Sequence, residues 1–165
     1  MNRRHLAVAV VVVATMLVSC SDGSSKADSL AQFCVAAQTA KDAEDAQQRL
    51  FGQSASPGPT EVQPAIERFA TKFATMATLA PKEIKPDVDT ISNAAQGLLA
   101  VVKANNYDVT AMVTTPEFAT LTDTFASSEF TDAQGRFQTY VASNCGITSN
   151  TNPVSTGDTT TTARP

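Results

Sequence analysis

The chain has 165 residues and a formal charge of −4, from 12 basic and 16 acidic side chains. This acidic balance disfavours nucleic acid and anionic membrane surfaces as partners, because both are bound largely through clusters of Lys and Arg. The sole histidine is His5, which excludes Ser-His-Asp catalysis, Cys-His catalysis and His-ligated zinc from the rest of the chain, so we expect no enzyme, metal or cofactor.

The N-terminal residues have the layout of a secretory signal peptide. Arg3 and Arg4 form a short cationic region, and the apolar run from Leu6 to Val18 is interrupted only by Thr15. This run has 13 residues, fewer than the roughly 20 that a transmembrane helix needs. The arginine pair also matches part of a twin-arginine export signal, so the general secretory and twin-arginine routes both stay open.

The apolar run ends in Leu17-Val18-Ser19-Cys20, which resembles the lipobox of bacterial lipoproteins. The resemblance implies that 1–19 is a signal peptide, that the Cys20 thiol receives a diacylglycerol, and that the mature protein is anchored at the extracytoplasmic face of the cell membrane. Cleavage before Cys20 would remove two basic residues and no acidic ones, which changes the formal charge from −4 to −6. The alternative is an ordinary signal peptide followed by an unrelated cysteine.

Composition divides the rest of the chain into three segments. Residues 20–27 are rich in Ser and Gly, which is typical of a flexible tether. Residues 28–147 contain the helical patterns and form the predicted folded domain. Residues 148–165 are mostly Thr, Ser, Asn and Pro with Val154 as their only large apolar residue, so this tail cannot bury enough surface to offset its ordering entropy, and we expect disorder.

Helical periodicity begins near Asp28. Leu30, Phe33, Cys34 and Ala37 follow one another at i, i+3, i+4 and i+7, which predicts an amphipathic helix that ends at Gly52. After a loop, the capping-box pattern Thr60–Gln63 predicts the start of a second helix. The expected buried stripe of this second helix is Val62, Ala65, Ile66, Phe69, Phe73, Met76, Ala77 and Ala80.

A third helix is predicted by the clearest repeat in the chain. Its apolar residues alternate in spacings of four and three, as in a helix packed on nearly antiparallel neighbours: Ile84, Val88, Ile91, Ala95, Leu98 and Val102. Pro86 places the reliable start at Asp87, and Asn105-Asn106 is a candidate left-handed cap.

The last quarter is divided into shorter helices. Asp108 is expected to cap one turn, and Thr115-Pro116-Glu117 to begin another helix with the face Phe118, Leu121, Thr122 and Phe125. A second capping box, Thr131–Gln134, predicts a final helix that ends at Asn144-Cys145-Gly146, with the stripe Phe130 or Ala133, Phe137, Tyr140 and Val141. The predicted fold is therefore all-α, an antiparallel bundle of about four main helices.

Two further cysteines, Cys34 and Cys145, lie on the first and last predicted helices. Export to an oxidising compartment favours a disulfide between them, and two buried free thiols are the alternative. The bond would close a loop of roughly 110 residues, for which chain entropy gives about 4.7 kcal/mol of stabilisation. It would clamp the two termini of the helical domain together.

Two patterns are candidates for a functional site, and each also has a simpler interpretation. The pairs Glu83 with Asp87 and Asp42 with Asp45 have the residue types of acid–base catalysts but the spacing of solvated helix faces. The apolar side chains Phe69, Phe73, Met76, Phe118, Phe125 and Phe137 are candidates to line a pocket for an apolar ligand. Such a stripe more often forms a packed core.

In its overall layout the chain resembles small lipoproteins of high-GC Gram-positive bacteria, a resemblance that names an address and no activity. The favoured hypothesis is a non-enzymatic adapter that binds an envelope protein or wall component. Its binding surface would be the loops 53–60 and 105–116, with Pro57 and Tyr107 as the residues to substitute. The alternative is a carrier of an apolar small molecule or lipid inside the helices.

We expect Cys20→Ala to release the protein from the membrane fraction or to leave an uncleaved precursor. A diacylglyceryl group contributes about 0.8 kcal/mol per buried CH₂, and the variant cannot receive it. Detergent-phase partitioning of the two forms measures the effect. Unchanged partitioning of Cys20→Ala would contradict the lipoprotein interpretation.

Overall fold

A computed structural model describes residues 23–53 and 56–148, and all regular secondary structure in these two ranges is helical. The six helices in these two ranges are α1 (Gly23–Gln53), α2 (Pro59–Leu79), α3 (Lys85–Ala104), α4 (Val109–Met112), α5 (Pro116–Ala126) and α6 (Ser128–Cys145). The all-helical class and the divided last quarter are therefore as predicted. Within the same ranges, no helix combines the length and apolarity needed to cross a bilayer.

Several predictions fall on other parts of the chain. The signal peptide, the lipobox with Cys20, residues 21 and 22 of the tether, and residues 149–165 of the tail lie outside the described residues. The lipid attachment at Cys20 therefore remains a prediction.

Helix α1 begins at Gly23, five residues before the predicted start at Asp28, so residues 23–27 of the predicted tether are helical. The physical reason is cooperativity. Once the buried turn around Phe33 fixes the helix, each preceding residue adds a backbone hydrogen bond at little further cost. None of residues 23–27 is a proline, which would stop this extension.

The predicted start of α2 is two residues late. Its N-cap is Gly58, whose backbone N–H donates to Oε2 of Glu61 at 3.2 Å. Pro59 takes the first helical position, where its missing N–H costs nothing and its fixed φ suits the helix. Thr60 consequently lies inside the first turn and is not the N-cap.

The start of α6 is also earlier than predicted. Ser127 is the N-cap and its hydroxyl accepts a hydrogen bond from the N–H of Phe130 at 3.2 Å. Thr131, the predicted cap, lies in the first turn and its hydroxyl donates to the carbonyl of Ser127 at 3.1 Å. The capping box was misread because Ser127 offers the same chemistry four residues earlier, with the extended backbone that an N-cap needs.

The caps of the shorter helices are confirmed. Asp108 Oδ1 accepts hydrogen bonds from the N–H groups of Thr110 and Ala111 at 2.9 and 3.0 Å. The Thr115 hydroxyl accepts one from Phe118 N–H at 3.2 Å. These side chains satisfy donors that the first turn of a helix leaves unpaired.

The long helices contact each other in the order α1–α2, α2–α3, α3–α6 and α6–α1, and α5 packs against α3 and α6. Lys85 Nζ donates to the carbonyl of Ala77, and Gln96 Nε2 to that of Ala70, so α2 and α3 run in opposite directions. Asp87 binds Arg136 at 2.8 Å, which joins the start of α3 to the middle of α6.

Two apolar clusters fill the interior. The larger one includes Phe33 and three alanines of α1, and the smaller one is formed by Val62, Ile66, Val102 and Met112. On α1 the buried residues besides Phe33 are all alanines: Ala36, Ala37, Ala40 and Ala43. Small side chains let α2 approach closely, and they project little into the space on their other side.

The predicted stripes are confirmed in part. Thr122 of α5 is exposed, and several other predicted residues are only half-buried: Ala65, Ala80, Phe118, Phe125, Phe137 and Tyr140. Val62, Ile66, Phe73 and Met76 of α2 are buried, and so is most of the α3 seam. Phe69 on α2 and Leu98 on α3 are only half-buried. Both face open space between the helices, as described below.

The two ends of the fold have different connections. At one end, Cys34 and Cys145 lie at disulfide distance, with Sγ atoms 1.99 Å and Cα atoms 5.3 Å apart. The Phe33 ring contacts Tyr140 there at 5.9 Å, and the Tyr140 hydroxyl donates to Glu83 beside the Pro81 turn at 3.1 Å. We call this the disulfide end. At the opposite end, which we call the loop end, Ser56 Oγ lies 3.2 Å from Thr110 Oγ1.

We expect the double substitution of Cys34 and Cys145 by Ala to lower the free energy of unfolding by about 2–5 kcal/mol. The bond spans 111 residues and its loss increases the entropy of the unfolded chain. Urea unfolding followed by far-UV circular dichroism measures the difference. Reductant should shift the wild-type midpoint and leave the double variant unchanged, whereas an insensitive wild type would contradict the clamp.

Candidate functional site

A cleft of about 750 Å³ opens between α1 and α6. Its floor comes from α2 and α3, and its walls from α1, α5 and α6. We call it the Phe cleft, because five phenylalanine rings dominate its apolar lining: Phe69, Phe73, Phe125, Phe130, Phe137, Ile91, Leu98, Val141 and Ile147, together with Ala37, Ala40 and Ala95.

The cleft exists because its two facing walls differ in side-chain size. On the α1 side the apolar residues are Ala37 and Ala40, which are too short to reach across. The opposite wall carries the aromatic rings of Phe125 from α5 and of Phe130 and Phe137 from α6. Phe125 and Phe130 pack edge to face with centroids 5.0 Å apart, and Phe69 and Phe73 on the floor are 4.6 Å apart. Such ring pairs hold one another in place, so the apolar surface of the cleft is shaped in advance.

Polar side chains form the rim of the cleft: Lys41, Glu44, Asp45 and Gln48 from α1, and Gln134 and Gln138 from α6. Lys41 Nζ lies 3.1 Å from both carboxylate oxygens of Asp45. Gln48 Nε2 donates to Glu44 Oε1 at 3.3 Å. Burial raises the pKa of Glu44, and the neighbouring Lys41 opposes that rise. The rim therefore carries one cation and two carboxylates, with the cation already paired.

The end of α6 completes the cleft. Gly146 adopts a left-handed conformation with φ +67°, which glycine reaches without the steric cost that a side chain adds. The chain turns back there, and the N–H of Ile147 donates to the carbonyl of Val141 at 3.2 Å. This turn places Ile147 in the cleft lining.

Four of the six residues proposed from the sequence as pocket-lining do line the cleft: Phe69, Phe73, Phe125 and Phe137. Met76 is fully buried in the larger apolar cluster, and Phe118 packs against the smaller one. The structure thus brings together aromatic residues from α2, α5 and α6 that are up to 68 positions apart in the chain.

The candidate carboxylate pairs do not face a common site. Glu83 accepts a hydrogen bond from Tyr140, and Asp87 is held by the guanidinium of Arg136. Asp42 accepts one from Gln38 at 2.9 Å, while Asp45 pairs with Lys41. Each carboxylate has its own neighbour, as on solvated helix faces.

The two loops proposed as a partner surface do meet, through the Ser56–Thr110 contact at the loop end. They border a second cavity of about 430 Å³, which we call the loop-end cavity. Pro57, however, is buried and lines this cavity rather than facing solvent. Pro57 is therefore not a surface residue, because it is enclosed at a cavity that residues of α1 and α4 also line. The exposed apolar residues here are Phe51 and Val113, with 36% and 52% exposure.

Tyr107, the other proposed surface residue, is half-buried and serves the fold. Its φ is +60° and follows the +52° of Asn106, the predicted left-handed position. The N–H of Tyr107 donates to Val102 at 2.9 Å and its hydroxyl to Glu67 at 2.7 Å. That hydroxyl bond lowers the pKa of Glu67 and raises the pKa of Tyr107. These contacts hold a conformation that an aromatic residue rarely adopts.

Sequence reasoning missed the polar rim. Gln134 and Gln138 recur at i, i+4, and Lys41, Glu44 and Gln48 at i, i+3 and i+7. On a single helix this spacing is indistinguishable from an ordinary solvated face. Only the placement of α1 opposite α6 makes the two rows face one cleft.

Comparison of the chain with models of protein families, with curated proteins and with solved structures finds no match. Among the described residues, no group of three or more His, Cys, Asp and Glu side chains is placed to hold a metal ion. The function is therefore argued from the cleft itself.

We expect Glu44→Gln to stabilise the protein at about pH 7 and to have little effect at about pH 4. The raised pKa means that the folded state holds this proton more tightly than the unfolded state, whose pKa is near 4.5. The contribution of Glu44 to the stability of the wild type therefore falls as pH rises above that value, and glutamine removes this loss. Urea midpoints at the two pH values measure it. Asp123→Asn, at an exposed site on α5, is the control, and an equal pH response of both variants would contradict the assignment.

Proposed function

We propose that this chain is a non-enzymatic, lipid-anchored envelope protein that binds an apolar small molecule with an uncharged polar head in the Phe cleft. The observation that carries the proposal is the cleft of about 750 Å³ with aromatic walls and a polar rim. Ligand pockets in proteins have volumes of about 300–1,000 Å³ and a mainly apolar lining with a few polar groups. The volume of this cleft lies in that range, and 12 of its 19 lining residues are apolar.

Energetics favour an apolar ligand body. Burial of apolar surface contributes roughly 25 cal/mol of stabilisation per Å², and aromatic surface exposed in an open cleft lacks this contribution. Helices α1 and α6 do not close over Phe69 and Phe137, since the alanines of α1 cannot fill the gap. A ligand that covers these rings recovers the missing stabilisation.

The rim selects the head of the ligand. A carboxylate or phosphate head would approach Glu44 and Asp45, and the only cation on the rim, Lys41, is already paired with Asp45. Like charges that lie close together repel one another. Hydroxyl or amide heads avoid that repulsion and can exchange hydrogen bonds with Gln134 or Gln138. The favoured ligand is therefore a neutral amphiphile.

The proposal includes an antiparallel bundle of α1, α2, α3 and α6, anchored at one end. Support comes from the opposed directions of α2 and α3 and from the closure of α6 on α1. Cys20 precedes Gly23 by three residues, a distance of at most about 11 Å even for extended chain. A lipid on Cys20 would hold the start of α1 near the bilayer, where apolar ligands are available.

A second candidate function is the adapter. It is favoured by the meeting of the two loops at the loop end and by the exposed side chains of Phe51 and Val113. In the proposed bundle this end is opposite the anchor and accessible to a partner in the envelope. The Phe cleft has no role in an adapter, which makes the two functions separable.

We expect Phe69→Ala to weaken binding of the neutral probe N-phenyl-1-naphthylamine by a factor of about 4 to 12, since it removes roughly half of the 1.5–3 kcal/mol associated with burying a phenylalanine. Probe fluorescence measures the affinity, and residues 1–165 contain no tryptophan that would interfere. The matched control is Phe118→Ala, which removes a half-buried ring outside the cleft.

Both variants should remain helical by circular dichroism, and only Phe69→Ala should lose affinity. Absence of probe binding to the wild type, or an equal loss in both variants, would contradict a ligand site in the cleft and leave the adapter as the better hypothesis.

A further inference from the structure

The Phe cleft and the loop-end cavity are neighbours. Two residues, Leu98 of α3 and Gln47 of α1, line both of them. The loop-end cavity adds about 430 Å³ and is walled by apolar side chains such as Ile66, Val102 and Met112. A ligand chain that passed Leu98 from the Phe cleft would therefore enter a second cavity with a largely apolar lining.

Leu98 has an unusual position in the α3 seam. Its neighbours along the seam, Ala95 and Val102, are 1% exposed, whereas Leu98 is half-buried. It packs against the smaller apolar cluster and lines both the Phe cleft and the loop-end cavity. Gln47 of α1 is also half-buried, and both side chains border the two cavities.

We propose that Leu98, together with Gln47, is a partition that sets the length of the ligand's apolar chain. The inference rests on the proposed function, since it concerns a ligand already bound in the Phe cleft. A chain enters from the rim, covers the phenylalanine rings and stops against Leu98. Longer chains either leave their ends in water or displace the partition.

The proposal predicts a break in a homologous series. Each added CH₂ that enters the cleft contributes about 0.8 kcal/mol, or roughly a fourfold gain in affinity. The gain should cease once the chain reaches Leu98. Leu98→Ala removes most of the partition and opens the loop-end cavity, so the gain should continue to longer chains.

The experiment uses the mature chain from Cys20 without its lipid. The ligands are monoacylglycerols, which have neutral heads, with saturated chains of about 8 to about 18 carbons. Their affinity is measured by displacement of N-phenyl-1-naphthylamine. Each length is measured with the wild type, with Leu98→Ala and with Leu99→Ala. Leu99 is the matched control, because it is a half-buried leucine packed on the same cluster but lines neither cavity.

A second variant, Gln47→Ala, keeps the test decisive if the loss of Leu98 prevents folding. Gln47 is half-buried on a long helix, and alanine there favours the helix. The expected result is that the plateau in affinity moves to longer chains in Leu98→Ala and Gln47→Ala and stays at the wild-type length in Leu99→Ala.

A plateau at the same chain length in the wild type and in both partition variants would overturn the partition while leaving ligand binding intact. An equal shift in Leu99→Ala would also overturn it, because a general loosening of α3 would then explain the change. Absence of binding at every chain length in the wild type would overturn the proposed function and this inference together.

Discussion

The bond between Cys34 and Cys145 is the constraint on which the rest of the structure depends. It joins the first long helix to the last across 111 residues, and the contact of Phe33 with Tyr140 lies beside it. Beyond this end, α1 offers α6 only the short side chains of Ala37 and Ala40 before its polar residues begin. The two helices are thus fixed together at one end without being able to fill the space between them farther along, and the Phe cleft is the result.

An open apolar cleft costs stability that a better-filled core would recover. Natural sequences retain such a cost chiefly where function requires it. The chain surrounds the gap with paired aromatic rings, a left-handed turn at Gly146 that places Ile147 in the lining, and a rim of amides and carboxylates. Apolar walls combined with polar groups are the features that our proposal of a ligand site rests on.

The loop end solves a different physical problem, the reversal of the chain after α3. Two successive residues, Asn106 and Tyr107, adopt positive φ, and the unfavourable conformation of Tyr107 is held by its bonds to Val102 and Glu67. The reversal brings Thr110 against Ser56 and places α4 over the second cavity. The same few residues therefore fix the turn, close the loop end and border the space beyond Leu98.

The sequence by itself determined the helical class, the caps at Asp108 and Thr115, the α3 seam and the pairing of the two cysteines, because each depends on local periodicity, local hydrogen bonding or a choice among very few thiols. It misplaced the starts of α2 and α6, where Gly58 and Ser127 compete with nearby threonines for the same role. It named four cleft phenylalanines but could not separate them from core residues such as Met76, and it assigned Gln134 to a helix cap and did not single out Glu44. Only the tertiary structure decided which side chains line the cleft. Whether a side chain meets a neighbour or a gap depends on the size of residues on another helix, and no pattern within one helix records that.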